Sequence, residues 1–225
     1  LNRGQGSSVQ LIYSLAIPSA VLRNKDQRRA LINRLKNVPV SALWLKVDRF
    51  GSDSSATAAL AYIDGVAEFH ELGIPIVADH VGGVIGLSLM AFGAVGGIAH
   101  GITLGERFNA ASWRKPPVSG GFAPHHRVYI PEIDLLLKRN DAEALLGASH
   151  RARGQFGCTD TSCCPRNIVD MLENPGRHFL YQRNKQVTEL SRVPEQLRPQ
   201  QFLDQHLRPA TDKALAAATI NWESA

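Results

Sequence analysis

The chain has 225 residues, of which 44% are hydrophobic, 20% charged and 7% aromatic. This composition excludes an intrinsically disordered chain and leaves room for one ample domain or two small ones. No apolar run reaches the roughly 18 residues of a membrane helix, and the first residues do not resemble a signal peptide, so we expect a soluble, cytoplasmic protein with no membrane partner.

The net charge of +5 is concentrated in the C-terminal half, where residues 107–225 hold 16 Lys and Arg against 12 Asp and Glu. A basic excess of this kind is compatible with phosphate or nucleic-acid contact. It is equally the composition of an ordinary solvated surface, so charge alone leaves both interpretations open.

Strand patterns and helix patterns alternate along the first 150 residues. The predicted strands cover residues 9–17, 41–48, 74–79, 96–100 and 127–131, and the predicted helices cover 24–37, 54–72, 83–92 and 141–149. In the first helix Ala30, Leu31 and Leu35 recur at helical spacing after Asn24, a residue type that caps helices.

Strands separated by helical crossovers are typical of a parallel α/β sheet. The strands end in polar residues where the helices begin, and no Gly-x-Gly-x-x-Gly follows the first strand, which favours a (β/α)₈ barrel. A barrel needs about 250 residues, so we expect the C-terminal five βα units, strands four to eight, of a protein whose N-terminal half is missing here. The alternative is a five-stranded doubly wound parallel sheet.

The alternation of strand and helix patterns ends near residue 154. Beyond it we predict a Cys-bearing loop, a turn at 174–176 and helices over 166–172, 179–190, 200–207 and 211–220. The predicted domains are therefore a βα-repeat domain over 1–153 and a Cys-rich helical segment over 154–225.

The three cysteines of the chain all lie between Cys158 and Cys164. Clustered thiols in an intracellular protein favour metal binding over a disulfide framework. Zinc takes four tetrahedral S or N ligands, and we predict a structural zinc site built from Cys158, Cys163, Cys164 and His178. Because adjacent cysteines rarely bind one ion, one of the pair is a candidate bystander, with His150 or His206 as the fourth ligand; buried thiols and a redox pair are the other interpretations.

The carboxyl ends of the strands carry a second group of polar residues. Functional groups of parallel α/β proteins gather at these ends, which here present Asp48, Asp79, His80 and His100 as candidate catalytic residues and Lys46 and Arg49 as candidate anion-binding residues. We expect Asp79 to act as nucleophile or base and a histidine to carry the proton. Helix capping and local ion pairing are the competing explanations.

Residues 101–126 form a long loop without helical periodicity, a length typical of lids and binding loops. Arg107, Trp113 and Arg114 in this loop suit stacking on a base or binding a phosphate, and we include them among the candidate substrate-binding residues. The same residue types also occur in loops that only cover a core.

This order of a partial barrel, a Cys-rich segment and a basic helical end resembles the tRNA-guanine transglycosylases and their relatives acting on 7-deazaguanine bases. In that family zinc lies after the last barrel strand, and the positions of Cys158, Cys163, Cys164 and His178 correspond in place and ligand type. The resemblance implies base exchange, in which an Asp attacks the ribose carbon and expels guanine. The family pattern is Cys-x-Cys-x-x-Cys with a more distant His, and its barrel motifs do not match around Asp48 or Asp79, so no catalytic residue is carried over.

Two functions follow from these features. The first is a barrel enzyme acting on a nucleobase or nucleotide, a transglycosylase-like transferase with its active site at the strand ends. The second is a non-catalytic, zinc-stabilised module whose basic tail binds RNA, DNA or a protein.

Overall fold

The computed structural model describes residues 10–102, 106–115 and 127–220, without the side chain of Arg114. These residues form two compact units. The first holds residues 10–100 and 106–115, and the second holds residues 101–102 and 127–220. The predicted domain boundary after residue 153 lies inside the second unit.

The first unit is built on a four-stranded parallel sheet whose strands lie side by side in chain order. The strands are β1 (Ile12–Pro18), β2 (Ala42–Asp48), β3 (Ile76–Asp79) and β4 (Gly97–Ala99). The helices are α1 (Ser19–Arg23), α2 (Lys25–Leu35), α3 (Ala56–Ala67) and α4 (Gly83–Ala91), with 3₁₀ segments at Glu68–Leu72 and Ala110–Arg114.

Strand β2 shows how the sheet distributes its side chains. Leu43, Leu45 and Val47 are buried in the core of this unit, whereas Trp44, Lys46 and Asp48 between them are only half-buried. Because neighbouring residues of a strand point to opposite faces, one face of the sheet is apolar and the other carries polar side chains.

Side-chain caps set the starts of α2 and α3, and the first of them is the predicted Asn24 cap. The side chain of Asn24 accepts a hydrogen bond from the backbone N–H of Gln27, and the hydroxyl of Ser55 accepts one from Ala58. Gly73, with φ of 64°, ends the segment after α3 in the left-handed conformation that glycine adopts without strain.

The second unit overturns the prediction of a fifth parallel strand. Strand β5 (Val128–Ile130) pairs antiparallel with β6 (Leu135–Leu137), separate from the four-stranded sheet. The connection between them is only four residues long, with Asp134 at φ of 49°, and a parallel pair would need a much longer crossover.

The described residues form a sheet of four parallel strands that does not close into a barrel. The prediction of five parallel strands is therefore wrong, both for the partial barrel and for the doubly wound sheet. The order β1-β2-β3-β4 also lacks the reversal that defines a doubly wound sheet.

Helices make up most of the second unit. They are α5 (Arg139–Gly147), α6 (His150–Phe156), α7 (Ile168–Glu173), α8 (Pro175–Arg192), α9 (Arg198–Phe202) and α10 (Arg208–Ala218), with a π segment at Leu203–Leu207. The predicted turn at 174–176 is instead the start of α8, since Pro175 suits the first helical position. Helix α6, which was not predicted, begins at Ser149, whose hydroxyl caps the N–H of Ala152.

The core of the second unit joins the hairpin to the cysteine loop. Side chains of β5, β6, α5 and α6 pack in one buried cluster with all three cysteines and Met171. None of the helices among the described residues has the length and apolar character to cross a membrane.

Candidate functional site

The structure brings together the four residues predicted as metal ligands. Cys158, Cys163 and Cys164 follow α6 in one loop, and His178 lies in the first turn of α8. All four are buried, and their ligand atoms lie within 4.8 Å of one another. No other group of three or more His, Cys, Asp or Glu in the described part of the chain could hold a metal ion.

The distances between the ligand atoms fit a tetrahedral ion. A zinc ion bound at usual bond lengths holds two sulfurs about 3.7 Å apart, and the Sγ atoms of Cys163 and Cys164 are 3.7 Å apart. The Nδ1 atom of His178 lies 3.3 Å from one of these sulfurs and 3.5 Å from the other. Both adjacent cysteines therefore belong to the cluster that could hold a metal ion.

A tight turn around Asp160 places the adjacent cysteines. The carbonyl oxygen of Asp160 accepts hydrogen bonds from the N–H groups of Cys163 and Cys164, at 3.1 and 2.7 Å. Its carboxylate accepts from the N–H groups of Ser162 and Cys163. Fixing this backbone lets two consecutive side chains turn toward one point.

The ring of His178 is oriented by the neighbouring hairpin. Its Nε2 atom lies 3.0 Å from the carbonyl oxygen of Tyr129, which requires the proton on Nε2 and leaves the lone pair of Nδ1 facing the sulfurs. Burial lowers the pKa of His178, which keeps the ring neutral at pH 7. A neutral, oriented imidazole is the form that binds metals.

Burial of the sulfurs disfavours their thiolate form unless a cation is bound. Burial raises the pKa of the Cys163 and Cys164 thiols, and the neighbouring Cys158 raises that of Cys164 further. A divalent ion would offset this cost by neutralising the thiolates. The side-chain amide of Gln182 also donates to the sulfur of Cys158, at 3.7 Å.

Neither of the alternative histidines belongs to the cluster. His150 is exposed at the start of α6, and the ring of His206 stacks on Phe202 with centroids 6.3 Å apart. A set of three cysteines and one histidine that fills all four tetrahedral positions is typical of structural zinc rather than catalytic zinc.

A second cluster lies at the carboxyl edge of the parallel sheet, in the first unit. The carboxylate of Asp79, at the end of β3, lies 3.3 Å from Nζ of Lys46 and 3.1 Å from Nδ1 of His80. The side chains of Asp79 and Lys46 are 10% and 15% exposed, so this ion pair is shielded from water. Of the predicted catalytic and anion-binding residues, the structure brings these three together.

The backbone beside this cluster is strained. Arg49 directly follows β2 and His80 directly follows β3, and both adopt the left-handed conformation, with φ of 60° and 62°. This conformation costs a non-glycine residue about 1 kcal/mol, and such residues concentrate at functional sites. The strain turns the chain sharply where each strand ends.

Residues 106–115 form a segment that is held across the loop after β2. The backbone of Phe108 bonds to both Arg49 and Phe50, and Ser52 donates to the carbonyl oxygen of Glu106. Gly51 permits this contact, since a Cβ atom there would lie 2.2 Å from that same oxygen. This part of the predicted binding loop is therefore fixed in place, while residues 103–105 and 116–126 lie outside the described part of the chain.

The segment brings aromatic rings to the strand-edge cluster. The Phe108 ring lies edge-on to the rings of His80 and Trp113, with centroids 5.6 and 5.1 Å away. Nζ of Lys46 lies 5.5 Å from the centre of the Trp113 ring, which is 66% exposed. The sequence did not predict Phe108 as part of this cluster, because its position depends on backbone hydrogen bonds to a loop more than fifty residues away.

A further carboxylate and imidazole meet at the end of β4. Nδ1 of His100 lies 3.7 Å from Oε1 of Glu106, and the two side chains are 10% and 8% exposed. The same oxygen rests against Gly82, where a Cβ atom would lie only 2.3 Å away. The predicted His100 thus belongs to a buried pair at this edge of the sheet.

Three other predicted residues have structural partners instead. The carboxylate of Asp48 accepts a hydrogen bond from the N–H of Ala110 at 2.8 Å, which anchors the overlying segment. Arg107 pairs with Asp53 and donates to the carbonyl oxygen of Arg49. The Arg49 side chain is 79% exposed and lies nearest to Asp48. The side chain of Arg114 lies outside the described part of the chain.

Comparison with protein-family models, with curated proteins and with solved structures gives no match to this chain.

Proposed function

We propose that the first unit is part of the wall of a (β/α)₈-type transferase that exchanges a nucleobase on RNA, DNA or a nucleotide. The observation that carries this proposal is the buried Asp79 carboxylate, held between Lys46 and His80 at the carboxyl edge of the parallel sheet. Catalytic groups of barrel enzymes come from this edge.

The winding of the sheet supports a barrel. Successive strands lie next to one another in chain order, as in a barrel wall. The face that carries Trp44, Lys46 and Asp48 is half-buried. Their register partners on β1 are exposed: Ser14, Ala16 and Pro18. This order of strands places Lys46 and Asp79 on neighbouring strands at one carboxyl edge of the sheet.

The cluster suits attack at the sugar carbon that bears the base. Asp79 lies beside Lys46 and His80. One Asp79 carboxylate oxygen would form a bond to C1′ while the C1′–N bond breaks and its electron pair leaves with the base. An incoming base then attacks C1′ and releases Asp79 unchanged. The exposed face of Trp113 offers a surface on which a planar base can stack.

In this proposal the metal is zinc and its role is structural. Cys158, Cys163, Cys164 and His178 fill its four positions, so it would hold the cysteine loop to α8 and contribute to folding rather than to the reaction.

The test is an exchange assay on the 225-residue chain. Unfractionated tRNA, duplex DNA and GMP are each incubated with radiolabelled guanine, and incorporation is measured for wild type and for Asp79→Asn, with Asp64→Asn on α3 as the matched control. We expect incorporation into at least one substrate, its loss in Asp79→Asn and its retention in the control. No incorporation by wild type, or equal incorporation by Asp79→Asn, would overturn the proposal.

A second candidate function is a non-catalytic nucleic-acid-binding module. The second unit exposes Arg151, Arg153, Arg177 and Arg192 on α6 and α8, which favours contact with phosphates. This function predicts RNA or DNA binding that weakens steeply between 50 and 200 mM salt, without base exchange; binding that is absent or independent of salt would contradict it.

A further inference from the structure

We infer that His100 is the proton donor to the departing base and that Glu106 is the positioning residue that holds its ring oriented. This inference rests on the proposed function. It assigns a residue to the proton transfer to the departing base, a step that the proposed roles of Asp79 and Trp113 do not cover. A purine that leaves as an anion is a poor leaving group, so an acid beside it lowers the barrier.

The position of His100 follows from strand register. Asp79 and Ala99 are register partners on the adjacent strands β3 and β4, and His100 is the residue directly after Ala99. Neighbouring strands lie about 4.8 Å apart, so His100 leaves the same edge of the sheet as Asp79, one strand away. The backbone N–H of Val81 donates to the carbonyl oxygen of Ala99, which fixes the two strand ends to each other.

Glu106 is held between the end of β4 and the start of α4. Its carboxylate rests against Gly82, the residue that precedes α4, where the helix presents its positive end. Oε1 of Glu106 lies 3.7 Å from Nδ1 of His100, so the carboxylate orients the ring with Nε2 directed away from the pair. The two carboxylates thus have different roles. The Asp79 carboxylate attacks C1′, and the Glu106 carboxylate orients the ring of His100.

The complete step conserves electrons and protons. As an Asp79 oxygen bonds to C1′, the electron pair of the C1′–N bond moves onto the base, and the Nε2 proton of His100 transfers to a ring nitrogen of that base. In the second half the incoming base returns a proton to His100 as it bonds to C1′. The enzyme ends in its starting protonation state, and no oxidant or reductant takes part.

The experiment compares two leaving groups on the 225-residue chain. Free base release is measured from unfractionated tRNA, which loses guanine, and from tRNA treated with dimethyl sulfate, which holds 7-methylguanine. The methylated base is already cationic and leaves without a proton donor. We expect His100→Gln to lower guanine release about 100-fold or more and to leave 7-methylguanine release within about threefold of wild type.

Glu106→Gln separates positioning from folding. We expect about a tenfold loss of guanine release and unchanged release of 7-methylguanine. Glu143→Gln, on the exposed face of α5, is the control. Equal losses on both substrates would mean a structural role and overturn the inference, as would no loss on guanine. A wild type that releases neither base would instead overturn the proposed function itself.

Discussion

The Nε2 atom of His178 lies 3.0 Å from the carbonyl oxygen of Tyr129, so one hydrogen bond links the candidate metal site to the hairpin. His178 belongs to α8 and Tyr129 to β5, two elements 49 residues apart in the chain. Because the ring can serve Tyr129 and a metal at once, loading the site should tighten the packing of the hairpin against α8.

Substitution of either adjacent cysteine should abolish tight metal binding. We expect one zinc ion per chain in wild type and loss of the ion in Cys163→Ser and in Cys164→Ser, because both sulfurs lie within 3.5 Å of His178 Nδ1. Metal content is measured by mass spectrometry on protein purified without chelator.

The control for this measurement uses the two histidines outside the cluster. His150→Ala and His206→Ala should each retain one zinc ion per chain. Full metal content in Cys164→Ser, or loss of metal in His206→Ala, would show that the ion is bound by a different set of ligands.

The sequence patterns predicted the four parallel strands because each is a short apolar run between helical stretches. They failed at β5, since the pattern of Leu135–Leu137 was not recognised as a second strand and a hairpin was therefore missed. The four residues of the candidate metal site could be predicted from residue type and clustering alone. That Cys163 and Cys164 both reach the site depends on the backbone turn at Asp160, which residue spacing does not reveal.

The residues at the strand edge also differ in whether the sequence could predict them. Asp79, Lys46 and His80 were predictable because parallel strands end at a common edge. Phe108 and the pairing of Glu106 with His100 depend on the chain returning over an earlier loop, which no local pattern encodes.

Removing the cation of the buried Arg183–Asp134 pair should destabilise the second unit. The two groups lie 3.0 Å apart with side chains 6% and 11% exposed, and Tyr129 OH donates to the same carboxylate. Arg183→Met leaves Asp134 buried and charged, and we expect the free energy of unfolding to fall by about 3 kcal/mol. Urea denaturation of the zinc-loaded protein measures this value.

A second substitution identifies the cause of that loss. Asp134→Asn removes the charge and tolerates the left-handed backbone at this position, so Arg183→Met/Asp134→Asn should recover part of the stability. Arg139→Met, which breaks an exposed ion pair on α5, should cost less than about 1 kcal/mol. A double variant no more stable than Arg183→Met would mean that lost packing, rather than the unpaired charge, dominates.

Glu132→Gln should stabilise the protein at pH 7. Burial raises the pKa of Glu132, and the nearby Lys213 only partly opposes it. A carboxyl whose pKa is higher in the folded state favours folding below its unfolded pKa, and this contribution is lost as the pH rises through the folded pKa. The gain from the amide, measured by urea denaturation, should therefore be larger at pH 7 than at pH 5; a gain that is equal at both values would refute the assignment.

Gly51→Ala should displace the segment over the strand-edge cluster. A Cβ atom at Gly51 would lie 2.2 Å from the carbonyl oxygen of Glu106 and 2.6 Å from the Cα of Arg107, and neither backbone atom can move without breaking the bonds to Ser52 and Phe50. We expect a loss of about 2 kcal/mol or more in the free energy of unfolding, measured with urea. Gly147→Ala, at the end of α5 with open space around its Cβ position, is the control and should be neutral or slightly stabilising. Equal stability of the two variants would show that residues 106–108 are not held against this loop.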